Sequence, residues 1–396
     1  ANVASTGVFT IPLMKNVGYR SEFAGGVEAA SSSGGQIMPP IMGAAAFIMA
    51  EMTGVPYSKL IIHAMIPAML YYLSVFLMVD LEAGRKNLKG LPKEELPKMM
   101  DVLNKGGMLL LAPISVFVML LNGYSPIKAS FTAVIVVVLI SLLRKDTRLS
   151  LKGYIEALEN AAYSSLAVIS ACGVAGIVVG SVTLTGLGLK FADLIVSISG
   201  NNLIIALILT MVASIIMGMG MPTTALYIIL GSMVAPALVR MNVEVVAAHM
   251  FIFYFGCMAA VTPPIALSSY LAASIANAQP TKTALNGLKL ASSAFITPFI
   301  FTLSPSLLLL GNIGSFETVT IIISSIIGVY SLSISFVGFN KMNVTMTFRA
   351  LLCAASLLLM VPGMTTDVIG LIIVFGFMAV EKVKRNNCSL VVAGEQ

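Results

Sequence analysis

The stretch GGQIMPPIMGAAAFIMA, residues 34–50, reads as membrane helix except where Pro39 and Pro40 stand side by side. A second such stretch, MAAVTPPIALSSYLAA at 258–273, carries Pro263 and Pro264. Proline lacks a backbone N–H and clashes with the carbonyl one turn earlier, so each pair must interrupt its helix and free carbonyls at membrane depth. Such breaks persist only where they are buried in protein or line a wet cavity. Two of them, in corresponding places of two halves, point to a secondary transporter with its binding site at the interface of inverted repeats.

The surroundings fit. The chain is 58% hydrophobic and 10% charged, with mean hydropathy +0.98, a composition that excludes a soluble domain. At about 20 apolar residues per span, 396 residues allow about ten crossings or re-entrant segments. The net charge of +6 implies no nucleic-acid partner, because the cations cluster in loops between apolar runs; the lipid bilayer is the expected surrounding. The cysteines, Cys172, Cys257, Cys353 and Cys388, lack metal-ligand spacing and read as reduced packing residues. The chain begins without an initiator Met and inside an apolar segment, so the expectation is that upstream membrane segments are missing.

Hydropathy divides the chain into four parts. Residues 1–80 form a first repeat: an incomplete hairpin at 3–14, a broken stretch at 23–52 and a span at 58–79. Residues 81–163 hold a basic loop, scaffold spans at 106–121 and 126–143, and an interfacial helix over LSLKGYIEALENAAYSS, 149–165. Residues 164–289 form a second repeat, with a span at 164–184, an amphipathic piece at 186–200, and a re-entrant hairpin whose arms, 202–217 and 225–238, flank the tip GMGMPTT at 218–224. Its broken stretch covers 245–278. Residues 290–396 supply C-terminal spans near 290–310, 317–339 and 350–380, the last a hairpin broken at Pro362-Gly363, and a short tail.

Spacing supports the duplication, since Thr6 precedes Pro39 by 33 residues and Thr223 precedes Pro263 by 40. Topology supports it too. With these spans, 19 Lys and Arg residues, among them Lys15, Arg20, Arg85, Lys289, Lys341, Arg349, Lys382, Lys384 and Arg385, fall on one side. Only Lys59, Lys128, Lys190 and Arg240 fall on the other, which makes the basic side cytoplasmic.

Broken helices expose N-terminal N–H groups that attract anions and C-terminal carbonyls that coordinate cations. Near the first break stand Ser31, Ser32, Ser33, Gly34, Gly35 and Gln36; near the second, Gly256, Thr262, Ser268 and Ser269. The hairpin tips add Asn2, Ser5 and Thr6 in one half, and Gly218, Gly220, Thr223 and Thr224 in the other. Ser32, Ser33, Gly35, Gly218, Thr223, Thr224 and Thr262 are the candidate cation ligands; Asn2, Gln36, Ser268 and Ser269 are the candidate substrate contacts. Small residues also serve close helix packing. Neutral oxygens and flexible backbone suit a hard monovalent cation such as Na⁺. Ionisable groups at depth are few: Glu28 near the cytoplasmic end of its stretch, Glu51 near the far end, Asp367 in the last segment, and His63 and His249 near the edges of apolar runs. The balance favours sodium over proton coupling, with Glu28 or His249 still able to titrate. No HExxH, GxSxG or Walker-type motif occurs, so the chain does not read as an enzyme, and no cofactor other than a coupling Na⁺ or H⁺ is expected.

The wording of ANVASTGVFTIPLMKNVGYR (1–20), ASSSGGQIMPPIMGAAAFIMAEMTGVPY (30–57), MGMGMPTTALYIILG (217–231) and AAVTPPIALSSYLAA (259–273) closely resembles the large membrane subunit of tripartite ATP-independent periplasmic (TRAP) transporters. It is most similar to the fused-permease branch that works with TAXI-type binding proteins. The resemblance runs over nearly the whole chain. It implies an elevator-type, ion-coupled importer in a prokaryotic inner membrane, taking a small, usually carboxylated solute from a periplasmic solute-binding protein and built with a small membrane subunit, separate or fused. Residue by residue, Ser32, Ser33 and Gly35 match the family's first sodium region, Gly218, Thr223 and Thr262 its counterpart, and Asn2 falls just after the first hairpin tip. The Ser-Gly-Ser tip expected just before Ala1 is absent, and the fused branch is where a proton competes most strongly with sodium. The alternatives are a channel whose breaks line a permanent pore, and a non-transporting membrane scaffold, which leaves the broken helices without a purpose.

Overall fold

The computed structural model describes residues 2–90, 97–144, 147–311, 316–361 and 363–394. Among them it is all-α with no strand, only an isolated bridge between Phe339 and Asn343. The helices run α1 (Asn2–Val17), α2 (Ser21–Gly34), α3 (Ala44–Thr53), α4 (Tyr57–Arg85), α5 (Met99–Gly106), α6 (Leu111–Leu121), α7 (Pro126–Leu143), α8 (Leu151–Thr185), α9 (Leu187–Ile198), α10 (Leu203–Gly218), α11 (Thr223–Met233), α12 (Ala235–Arg240), α13 (Val245–Met258), α14 (Leu267–Ala276), α15 (Pro280–Leu290), α16 (Ser293–Leu303), α17 (Phe316–Val337), α18 (Met346–Met360) and α19 (Met364–Gly394). Six helical stretches among the described residues are long and apolar enough to cross a membrane. The molecule is a polytopic membrane protein.

Both Pro pairs break their helices. α2 stops at Gly34 and α3 resumes at Ala44, with Pro39-Pro40 between them; α13 passes into a short 3-10 turn at 259–261, and α14 resumes at Leu267 beyond Pro263-Pro264. Both Pro-Pro peptide bonds are cis. A tyrosine hydroxyl straps each break: Tyr57 donates to the carbonyls of Pro40 (3.1 Å) and Ile41 (2.6 Å), and Tyr270 donates to that of Pro264. These bonds meet acceptors that the interrupted ladders leave open.

The second hairpin also forms as read, with α10 and α11 joined across 219–222. Asn202 caps α10 by accepting from Ile204 N (3.0 Å) and Ile205 N (3.3 Å), which satisfies donors that no helical carbonyl reaches. α1 packs on α2 and on α14, while α11 packs on α13 and on α3. Each repeat's hairpin arm thus contacts the first half of its own broken helix and the second half of the other's. That reciprocal exchange is the contact pattern of a pseudo-two-fold pair. α13 is the centre: every residue from Val246 to Met258 is buried, as expected of a helix apolar all round. Its Phe251 and Tyr254 meet Phe299 and Phe301 of α16, with ring centroids 5.3 and 5.5 Å apart.

Two segments, 149–184 and 290–310, differ from the hydropathy reading, and the amphipathic piece between them agrees with it. The interfacial helix at 149–165 and the span at 164–184 are one 35-residue helix, α8, because residues 154–172 contain no Gly or Pro to stop it. The amphipathic piece is a separate helix, α9, delimited by Gly186 and Gly200, both at positive φ (65° and 58°), a conformation glycine adopts without steric cost. The span expected at 290–310 is helical as α16 only to Leu303, since Pro305 opens a 3-10 turn instead of continuing the helix. The C-terminal hairpin is present as α18 and α19, though Pro362 of its expected break lies outside the described residues. Cys257 and Cys353 are free thiols; the side chains of Cys172 and Cys388 lie outside the described set.

Three of the basic residues assigned to one side, Arg20, Arg85 and Arg349, lie near the ends of α4 and α17. Around the C-terminal ends of α4 and α17, Arg85 donates to the Val337 carbonyl (3.2 Å) and pairs with Glu82 (2.6 Å), with Arg20 4.0 Å from the same carboxylate. Arg349 donates to the carbonyls of Ser335 (2.7 Å) and Phe336 (3.1 Å). Cations at a helix C-terminus complement its dipole.

Candidate functional site

α2 carries Glu28, one helical turn before Ser32, so both side chains lie on one face. That face meets α1, whose hydroxyls, with Thr6 exposed and Thr10 half-buried, complete a polar cluster. Glu28 is 5% exposed. It accepts hydrogen bonds from Thr6 Oγ1, from Thr10 Oγ1 (2.5 Å) and from Ser32 Oγ (3.0 Å). Asn2 Nδ2 in turn donates to Ser32 Oγ at 3.1 Å. Gly7, between the two threonines, admits this approach: a Cβ there would lie 3.2 Å from Glu28 Cγ and 3.4 Å from Ile275 Cδ1 of α14.

The C-terminal end of α2 is tethered from α4. Tyr71 OH donates to the Ala30 carbonyl and Tyr72 OH to the Ser31 carbonyl, each at 2.8 Å. Beyond them, Ser33 Oγ is buried with no hydrogen-bond partner, and among the described residues no backbone N–H reaches the Ser32 carbonyl. Oxygens without protein donors beside a buried carboxylate can accept a bound cation. Gly35 is exposed at the break, and the Gln36 carbonyl accepts from Gly43 N at 2.7 Å, which folds the interrupted segment back on itself.

The second half builds a neutral counterpart. A Cβ at Gly218 would fall 2.5 Å from Ala259 Cβ and 2.9 Å from Leu226 Cδ2, and one at Gly256 would fall 3.6 Å from Thr223 Cγ2. Gly218, Thr223 and Gly256 therefore converge where the hairpin tip meets the end of α13. Thr262 Oγ1 bonds the Met258 carbonyl (2.7 Å). Deeper in, Tyr227 OH and His249 Nδ1 lie 2.7 Å apart. That pairing gives His249 a structural partner in the core.

The candidates named from sequence thus fall into groups. Asn2 and Ser32 are joined directly, with Ser33 and Gly35 on the following turn. Gly218 and Thr223 are together, with Thr224 half-buried beside them and Thr262 at the adjacent break. Ser268 is half-buried in the first turn of α14, a position where free N–H groups favour an anion. Ser269 is fully buried between α14 and α15, its Oγ without a hydrogen-bond partner and 3.0 Å from where a Cβ on Gly287 would stand. Glu28 occupies a more central place than its position in the hydropathy profile suggests. Thr10, Tyr71 and Tyr72 were not singled out; the signal available for Glu28 was its i, i+4 spacing from Ser32.

Paired broken helices, a hairpin tip set against one of them and a buried carboxylate among hydroxyls define a polytopic membrane protein of interrupted-helix architecture. The sequence model of the tripartite ATP-independent periplasmic transporter DctM component matches residues 1–316, and the chain belongs to that family. It is a multi-pass protein of the inner membrane. Similar proteins include the sialic acid TRAP transporter permease protein SiaT of Haemophilus influenzae, 22% identical over 324 residues, which cover 78% of this chain and 50% of that protein. Another is the sialic acid TRAP transporter large permease protein SiaM of Vibrio cholerae, 23% identical over 286 residues, covering 68% of this chain and 63% of SiaM. The chain spans about half the length of the first and under two thirds of the second.

Proposed function

We propose that this chain is the membrane transport component of a TRAP importer, in which one cation, bound at Glu28, is moved together with a small carboxylated solute. The observation that carries this reading is the cluster of Glu28, Thr6, Thr10 and Ser32 beside the free oxygens of the first break. A buried carboxylate at membrane depth is costly unless it does work, and its position next to a broken-helix end suits the coupling of ion to substrate. Na⁺ and H⁺ both fit: a proton needs only the carboxylate, whereas Na⁺ would draw on Ser32, Ser33 and the Gly35 region, with Gly218, Thr223, Thr224 and Thr262 offering neutral oxygens in the other half.

The carboxylated solute is supported by the N-terminal turn of α14 with Ser268, by Asn2 and Gln36 near the first break, and by the sialic acid, a carboxylic acid, for which both relatives are named. A periplasmic solute-binding protein, of TAXI type by the sequence resemblance, would deliver the solute. A small membrane subunit would hold the scaffold, against which the two repeats move as an elevator.

The test is uptake of labelled organic acids, sialic acid included, into proteoliposomes containing the full-length permease with its partner proteins. Pre-imposed pH and Na⁺ gradients are varied separately. Wild-type protein accumulates solute only with one of these gradients. Glu28→Gln keeps solute exchange without accumulation. Gradient-driven accumulation by Glu28→Gln at the wild-type rate would overturn the assignment.

A further inference from the structure

Outside the matched region, the C-terminal part of α17, the middle of α19 and the loop before α18 enclose an open cavity of about 340 Å³. Its floor is a hydrogen-bonded knot. Glu381, 7% exposed, accepts from Asn340 Nδ2 (2.7 Å) and Lys341 N (3.0 Å), and Tyr330 OH donates to Asn340 Oδ1 (3.1 Å). Both carboxylate oxygens are thereby engaged with the loop. Around the rim stand Lys341, Lys382 and Arg385, whose charged heads meet no carboxylate within 4.0 Å among the described residues. The site is therefore cationic, and its one acidic side chain is already committed.

The helix below the rim identifies the partner. Val368, Ile372 and Phe375 recur at intervals of three and four along α19, are 50–66% exposed, and continue through Met378 in the cavity wall to Lys382. Such spacing keeps them on one helix face. An apolar stripe that runs up to three cations with no carboxylate partner among the described residues, at the end of the membrane-length part of α19 (Met364–Arg385), matches an acyl chain below and a phosphate above. A soluble anion would use the cations and leave the stripe without a role. We propose that this cavity binds the phosphate headgroup of an anionic phospholipid from the leaflet on the basic side of the protein, and so anchors the C-terminal hairpin.

Full-length protein in nanodiscs of phosphatidylcholine with phosphatidylglycerol, released for native mass spectrometry, tests this. Wild-type protein retains phosphatidylglycerol in preference to phosphatidylcholine. With each basic residue near an anionic surface contributing about fivefold, Lys341→Gln, Lys382→Gln and Arg385→Gln combined weaken retention roughly a hundredfold. Lys190→Gln, elsewhere on the molecule, leaves it unchanged. Retention is read only on monodisperse protein, and Lys382→Gln alone, an exposed position, gives the partial fivefold loss should the triple variant misassemble. Equal retention by wild type and triple variant, or loss of the lipid to inorganic phosphate added alone, overturns the proposal.

Discussion

Replacing Gly34 by alanine puts a methyl carbon 2.3 Å from Cε1 and 2.9 Å from Cδ1 of Tyr71, with Tyr72 Cζ at 3.2 Å. Ordinary carbon contacts are about 3.5–4.0 Å, so the Tyr71 ring must retreat by more than about 1 Å. It has nowhere to go. The ring is fully buried, its hydroxyl is fixed to the Ala30 carbonyl at 2.8 Å, and Tyr72 packs edge-on with centroids 5.4 Å apart. Overpacking of this kind costs about 1–3 kcal/mol, and surrendering the Tyr71 bond adds about 1 kcal/mol. Alanine's better helix propensity returns less than about 1 kcal/mol, since Gly34 is the last residue of α2. The net expectation is a loss of about 2 kcal/mol. Unfolding of the purified protein, measured for Gly34→Ala, Tyr71→Ala and the double variant under conditions where all three start folded, isolates the clash. The double variant should recover about 2 kcal/mol relative to additivity. An additive double variant, or a neutral Gly34→Ala, would refute the argument. Uptake should fall with stability, because the same tether sets the carbonyls beside Ser32 and Ser33.

Two further substitutions bear on the polar groups. Thr10→Val removes one hydroxyl from Glu28; a hydrogen bond to a charged group is worth about 1.5–3 kcal/mol, so the cation concentration for half-maximal uptake should change about tenfold or more. An unchanged requirement for both ions would remove Thr10 from the site. Tyr227→Phe strips His249 Nδ1 of its partner in the core and should cost about 1–3 kcal/mol in thermal unfolding, with little effect on cation dependence; a shifted cation dependence without destabilisation would contradict the structural role given to His249.

Much of the fold was legible because the decisive signals were local. A Pro pair interrupts a helix whatever surrounds it, and GMGMPTT is too short for an aqueous loop and too rich in Gly and Pro for a helix. Both breaks and the second hairpin therefore lie where the residues placed them. Boundaries that depend on competition between weak signals were less legible. The polar stretch at 149–165 resembles an interfacial helix, yet nothing in 154–172 halts the helix, so it runs on into the following span. At 290–310 hydropathy stays high past Pro305 while the backbone cannot remain helical. Ser269 shows a related limit: a serine next to a break looks open, and only the fold shows it fully buried against Gly287.

The site was half legible, and the missing half accounts for its asymmetry. Hydropathy placed Glu28 toward one end of its segment because it counts neighbours along a single helix. The partners that matter, Thr6 and Thr10, come from α1, 22 and 18 residues earlier. Eleven residues before the first Pro pair stands Glu28; eleven before the second stands Ile252, buried and apolar. Ser32 likewise corresponds to Gly256. The two repeats share a contact pattern, but of the matched positions 28 and 252 only the first carries a carboxylate. In the proposed cycle that difference has a physical use. A bare carboxylate carried through the low-dielectric part of the membrane is disfavoured, and a bound cation neutralises it. Movement of the unloaded site with Glu28 ionised is thereby discouraged, while the cation-loaded site can cross. A second carboxylate at position 252 would demand a second cation before the same movement, so placing the charge in one repeat alone sets a single neutralising cation as the minimum for each crossing.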